Sequence, residues 1–139
     1  MKRKPPKTGV VKGKTKATSE QWISLRNAKM GACRVCQSTR CTLHHLLGGN
    51  LRSDVSANLI SLCGNGSMGC HGIYTTRGNG TSFDGRKRSW FDVAFAIRKS
   101  LRDDELAYVV DVVGEDGLER RYPAGPTADP SQKDTFHKP

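Results

Sequence analysis

Residues 33–71 read CRVCQSTRCTLHHLLGGNLRSDVSANLISLCGNGSMGCH and hold all five cysteines and three of the four histidines of the chain. This stretch opens on the pair Cys33 and Cys36 and closes on Cys63 and Cys70, with His71 directly after Cys70 and the pair His44-His45 in between. Cys-x-x-Cys is the spacing of a zinc knuckle, and four thiolates satisfy a tetrahedral ion at metal–sulfur distances near ~2.3 Å. The second pair departs from the usual interval of about two to four residues. Six residues separate Cys63 from Cys70, and Gly64, Gly66 and Gly69 among them let the chain loop out and return. Cys33, Cys36, Cys63 and Cys70 are therefore expected to hold a structural Zn2+, and Cys41 is the spare of the five cysteines by its spacing. Buried free thiols are the competing reading, and they leave the pairing and the flanking glycines without a reason.

The composition agrees with a small, metal-stapled domain. The chain has 139 residues, enough for one domain plus tails, and only 35% of them are hydrophobic. A thin core of this kind gains stability from an ion whose binding is coupled to folding. The formal net charge is +10, from 23 Lys and Arg against 13 Asp and Glu, which favours polyanions such as nucleic acid as partners. No apolar run approaches the ~20 residues of a membrane span. The N-terminus MKRKPPKTGVVKGKTK lacks the apolar stretch of a secretory signal, so an intracellular, reducing setting is expected.

Residues 1–17 carry seven Lys and Arg, two prolines and no acid, and read as a disordered basic arm that either binds phosphates or solubilises the chain. Thr18 and Gln21 have the spacing of a capping box and predict a helix through Trp22, Ile23, Leu25 and Met30, ending near Gly31. Val35 and Thr42-Leu43 are expected to pair as a small hairpin around the first cysteines. Residues 64–69 are loop. Trp90, Val93, Ala94, Ile97 and Leu101 recur at helical spacing, as do Leu106, Val109, Val110 and Val113, with Asp103-Asp104 as the second helix's cap and Gly114 as its end. Ordinary core packing explains both stripes. The reading divides the chain into a basic arm at 1–17, a folded domain at 18–114 and a mostly disordered tail at 115–139, in which His137 is inert.

Adjacent residues on a strand point to opposite faces. His44 and His45 on a strand therefore take different roles, one ligating a metal and the other free as a general base near neutral pH. His71 has its backbone fixed beside the thiolate Cys70, and a second ion held by His44 and His71 keeps open positions for a phosphate oxygen and a water. Phosphodiester hydrolysis asks for such a set: a base for the water, positive charge for the transition state, and a basic surface for the polyanion.

Residues 33–71 resemble the HNH endonucleases, also called His-Me finger or ββα-metal nucleases. The resemblance implies an α+β fold in which a small ββα-metal core is stabilised by a four-cysteine zinc site and flanked by helices and disordered tails. It implies His45 as general base, His44 and His71 as ligands of a catalytic divalent ion, and Asn58 as the middle residue that holds the metal loop and helps orient the base. The catalytic ion is commonly Mg2+ in the family, with Mn2+, Ni2+ or Zn2+ in particular members. Two departures stand out. The Cys63 to Cys70 interval is four residues longer than usual, as in phage-type members, and the position of a further metal-binding histidine is Thr75.

DNA is the partner this implies, with Arg52, Arg77, Arg86, Lys87 and Arg88 as candidate phosphate contacts. Small members are often phage-encoded, some beside the packaging terminase, which adds terminase subunits as partners and the cytoplasm of a bacterial host as the location. The expected activity is metal-dependent nicking or cleavage of duplex DNA. The alternatives are a zinc-stabilised nucleic-acid-binding module without catalysis, and an assembly protein that docks through residues 90–113.

Overall fold

A computed structural model describes residues 15–125; the basic arm up to residue 14 and the tail from residue 126, including His137, lie outside the described residues. The order of elements is α1 (Ser19–Lys29), β1 (Cys41–His45), two single 3-10 turns (Gly49–Leu51 and Ser56–Asn58), β2 (Leu59–Cys63), α2 (Gly69–Thr76), a two-residue hairpin of β3 (Gly80–Thr81) and β4 (Lys87–Arg88), α3 (Trp90–Ser100) and α4 (Asp103–Arg121). The fold is α+β, built on small antiparallel sheets. β1 and β2 pair with Cys41 opposite Cys63, His44 opposite Ile60 and His45 opposite Leu59.

The expected hairpin of Val35 with Thr42-Leu43 is not formed. Residues 34–36 are a turn instead, because the knuckle needs its chain to fold back on itself: Gln37 takes a positive φ of 70° and its N–H returns to the Cys33 carbonyl at 3.0 Å. β1 therefore takes its partner from 59–63, whose side chains are all buried. The core gathers Leu46, Leu47, Ile60, Leu62, Ile73, Val93, Ile97, Val109, Leu118 and Tyr122 around the cysteines. Val93, Ala94, Ile97 and Val109 have no exposed surface, which argues against residues 90–113 as a docking face.

Helix boundaries follow local chemistry. Thr18 and Gln21 make the reciprocal capping box expected for α1, and Ser89 and Asp92 make a second one at α3. Asp103 and Asp104 do not cap α4. They sit in its first turn, favourably placed for the helix dipole, while the Glu105 carboxylate accepts from the Arg102 N–H at 2.8 Å. Gly114 (φ 79°, ψ 174°) does not end the helix; it kinks it, and the chain turns helical again to Arg121. The folded chain thus extends beyond residue 114. Leu118 and Tyr122 enter the core, and Arg98 clasps the far end through Glu119 Oε2 and the Tyr122 carbonyl, each at 2.8 Å.

α1 docks less through its apolar residues than expected, for Ile23 is 55% exposed. Its anchor is Lys29, whose Nζ meets Glu105 Oε2 at 2.6 Å in the interior. Arg34 from the knuckle turn reaches the same carboxylate with two bonds, at 2.9 and 2.7 Å. One fully buried acid therefore ties α1, the knuckle and α4 together. Burial alone would raise its pKa, but Arg34, the Arg102 N–H and Lys29 overcome that and hold it at about 2. Glu105→Gln leaves two cations without their counter-charge and should cost about 3–5 kcal/mol in urea unfolding. Because the folded-state pKa lies below the unfolded value near 4.5, this carboxylate's contribution is complete above that pH and fades as the pH falls toward about 2. The acid limb of a stability–pH curve should flatten in the variant.

Candidate metal centre and histidine cleft

Four cysteines from three parts of the fold converge. Cys33 and Cys36 come from the knuckle turn, Cys63 from the end of β2 and Cys70 from the first turn of α2. Their sulfurs all lie within 4.8 Å of one another, and Cys36 Sγ and Cys63 Sγ are 3.6 Å apart. A tetrahedral ion with ~2.3 Å bonds places its sulfurs ~3.8 Å apart, so the cluster has the size and donor set to hold zinc. Backbone N–H groups of Val35 and Cys70 donate to Cys33 Sγ (3.4 Å) and Cys63 Sγ (3.2 Å), which favours thiolates there. A hydrogen bond from the Cys70 thiol, acting against burial, brings the Cys33 thiol down to about 4. Cys41 stands outside the cluster, donates to the Ser38 carbonyl, and is pushed up to about 12 by burial and by the neighbouring sulfurs.

The long interval between Cys63 and Cys70 closes as a compact turn. Asn65 and Met68 exchange backbone hydrogen bonds (3.0 and 3.2 Å), and Asn65 Oδ1 accepts from both the N–H and the hydroxyl of Ser67. Gly64 (φ 83°) and Gly69 (φ 70°) make the two reversals, and a Cβ at Gly64 would lie 2.0 Å from the Met68 carbonyl oxygen. This closure sets Cys70 against Cys63 and presents His71 to the cleft.

β1 splits the two histidines as strand geometry requires. The His44 ring is buried, 5.2 Å centroid to centroid from His71 and 5.0 Å from Tyr74, in edge-on contacts. The His45 ring lies parallel to Trp22 at 6.0 Å, and its Nε2 is 2.8 Å from Asp54 Oδ1. Burial first, and then the neighbouring imidazoles, lower His44 to about 3; burial likewise lowers His71 and His45. All three rings line one open cleft of about 420 Å³, with Arg52, Arg77 and Arg121 among its other walls.

The hydrogen-bond network fixes two of the tautomers. Tyr122 Oη donates to the Leu46 carbonyl at 2.6 Å, so at 3.0 Å it accepts from His44 Nε2–H, and the His44 lone pair is on Nδ1. Thr42 Oγ1 donates to the Gly64 carbonyl at 2.7 Å, so it accepts from His71 Nδ1–H, also at 2.7 Å, and the His71 lone pair is on Nε2. Two neutral imidazoles with committed N–H groups are suitable ligands for a divalent ion.

Asn58 does not reach the cleft. It is fully buried, its amide oxygen accepting from the Leu47 N–H (2.8 Å) and its amide nitrogen donating to the carbonyls of Leu47 (3.1 Å) and Ser53 (2.9 Å). It pins the loop that follows His45. Among the candidate cations, Arg52 and Arg77 line the cleft, Arg77 lying 4.4 Å above the Trp90 ring. Arg86, Lys87 and Arg88 belong to the β4 hairpin and do not line it, and Arg88 is paired with Asp84 at 2.9 Å. Asp54, Tyr122 and Arg121 were not signalled by the sequence. Tyr122 lies beyond the glycine read as the domain's end, and a lone Asp carries no pattern.

Among the described residues no helix is long and apolar enough to cross a membrane. Purified protein should carry one zinc per chain by elemental analysis. Cys70→Ser should lose the ion and unfold, since structural zinc binding contributes on the order of 10–16 kcal/mol, whereas Cys41→Ser should keep both ion and fold. No family model, no curated protein and no solved structure matches this chain.

Proposed function

We propose that the chain is a metal-dependent endonuclease of the HNH type that hydrolyses DNA phosphodiester bonds. The observation that carries this reading is the meeting of His44, His45 and His71 in one open cleft with Arg52 and Arg77 on its walls. On this reading β1, β2 and α2 are the ββα-metal core and the four cysteines hold its structural zinc. His45 takes the proton from the attacking water. Arg52, Arg77 and Arg121 hold the phosphodiester against the cleft by charge. Asn58 keeps the loop after His45 in place through Leu47 and Ser53. His44 and His71 would hold a divalent ion through Nδ1 and Nε2; when bound, it supplies positive charge for the phosphoryl and leaving oxygens. Paired imidazoles are softer than a carboxylate–imidazole pair, so Mn2+ or Ni2+ should substitute for Mg2+. A role in phage DNA processing or packaging, beside terminase subunits, follows from the resemblance and belongs to the same proposal.

The experiment is plasmid relaxation. Supercoiled DNA incubated with the protein and Mg2+ or Mn2+ should become nicked or linear, and EDTA should stop it. His45→Ala should retain its zinc and its circular dichroism spectrum while slowing cleavage ~10²–10⁴-fold, the range of a lost general base. Undiminished cleavage by that variant removes His45 as the base. DNA binding without nicking in any metal favours the non-catalytic module.

A further inference from the structure

The segment entering α1 runs directly over the residues behind His45. Thr15 N–H donates to Ser53 Oγ at 2.9 Å, the Thr15 carbonyl accepts from Asp54 N–H at 2.7 Å, and Ala17 N–H donates to Asp54 Oδ2 at 3.0 Å. Asp54 is thus gripped at its backbone and at one carboxylate oxygen by a strap formed by residues 15–17. Its other oxygen, Oδ1, meets His45 Nε2 at 2.8 Å, and both side chains are largely shielded, 10% and 13% exposed. The strap leads into the Thr18 capping box and so to Trp22, whose ring lies parallel to that of His45. Edge and face of the imidazole are therefore both set by the same N-terminal piece of chain.

We propose that Asp54, held by the strap of residues 15–17, is the positioning residue that fixes His45 as the Nε2–H tautomer and keeps Nδ1 open as the proton acceptor. A carboxylate ion is acceptor-only, so the shared proton belongs to the imidazole. Both oxygens are needed. Oδ2 takes the strap's N–H while Oδ1 takes the histidine's, and no other side chain of this length accepts on both sides. An asparagine in its place satisfies one partner and turns its NH2 toward the other. If the amide oxygen stays with Ala17, the NH2 faces Nε2 and drives the proton to Nδ1, closing the acceptor. If it stays with His45, the strap loses its anchor. Asp54 touches neither substrate nor ion in this scheme. It acts through His45, and the strap acts through Asp54. The meaning of Nδ1 as acceptor rests on the nuclease reading; the tautomer and its dependence on the strap do not.

The test is the tautomeric state of His45 in the full chain with its zinc, read from long-range 1H–15N correlations of the imidazole and assigned with His45→Gln. Wild type should show Nε2–H with an unprotonated Nδ1. Asp54→Asn should move the proton to Nδ1, or split it between the two nitrogens, and lower the plasmid-nicking rate ~10²–10⁴-fold with little change in DNA affinity. Ala17→Pro removes the strap's N–H without touching either side chain, and should lower the Nε2–H population by itself. This second variant decides the matter if Asp54→Asn does not fold. A wild-type ring protonated at Nδ1 overturns the proposal, as does a tautomer unchanged in every folded variant. Wild-type protein that nicks nothing in any metal but shows the strap-dependent Nε2–H state removes the nuclease reading and upholds the lock.

Discussion

The sulfurs of Cys33, Cys36, Cys63 and Cys70 meet within 4.8 Å of one another, and the β1–β2 hairpin and the start of α2 are built around that meeting. Each sulfur comes from a different point of the hairpin and its flanks: Cys33 and Cys36 before β1, Cys63 at the end of β2, Cys70 in the first turn of α2. Holding these points together fixes the strand that carries His44 and His45 and the helix that begins beside His71. The thin hydrophobic content of the chain makes this matter more, because a core of a dozen or so buried side chains leaves little surplus stability for a domain of this size. The other unusual element of the interior, the Glu105 carboxylate shared by Lys29 and Arg34, serves the same end from the opposite side by seating the knuckle turn against α4. Buried charge of this sort contributes less through its net energy than through what it forbids, since each partner misplaced leaves another unpaired.

Much of this was legible in the sequence, and for identifiable reasons. The four cysteines and the spare were readable because metal-ligand spacing is a local, one-dimensional signal. The α1 capping box and the apolar stripes of α3 and α4 were readable because cap chemistry and helical period are local too. What failed depends on contacts between distant parts of the chain. The partner of β1 was misread because Val35 is apolar and near, while the strand at 59–63 lies fourteen or more residues downstream of β1 and is chosen by burial. Gly114 looked like a terminus because glycine ends helices and also kinks them, and only Leu118 and Tyr122 beyond it decide between the two.

The candidate site shows the same division. His44, His45, Asn58 and His71 stand out because histidine and asparagine beside cysteines form a pattern. Their supports do not: Asp54, Thr42 and Tyr122 are ordinary residues whose meaning comes from the 2.8, 2.7 and 3.0 Å contacts they make. Charge placement was legible in part: Arg52 and Arg77 line the cleft, Arg86, Lys87 and Arg88 do not, and Arg121 carried no signal. The net excess of +10 is a property of the whole chain, and which arginines face the cleft is decided by the αL turn at Arg77 and by the kinked end of α4 that presents Arg121.

Beyond the kink at Gly114 the chain turns helical again and brings Tyr122 into the core. Tyr122, whose hydroxyl sets the proton on His44, lies 78 residues after that histidine in sequence. The proton arrangement on His44 is therefore set by a contact between distant parts of the chain, and a chain cut off before Tyr122 keeps all four cysteines of the cluster but loses the hydroxyl that orients the ring.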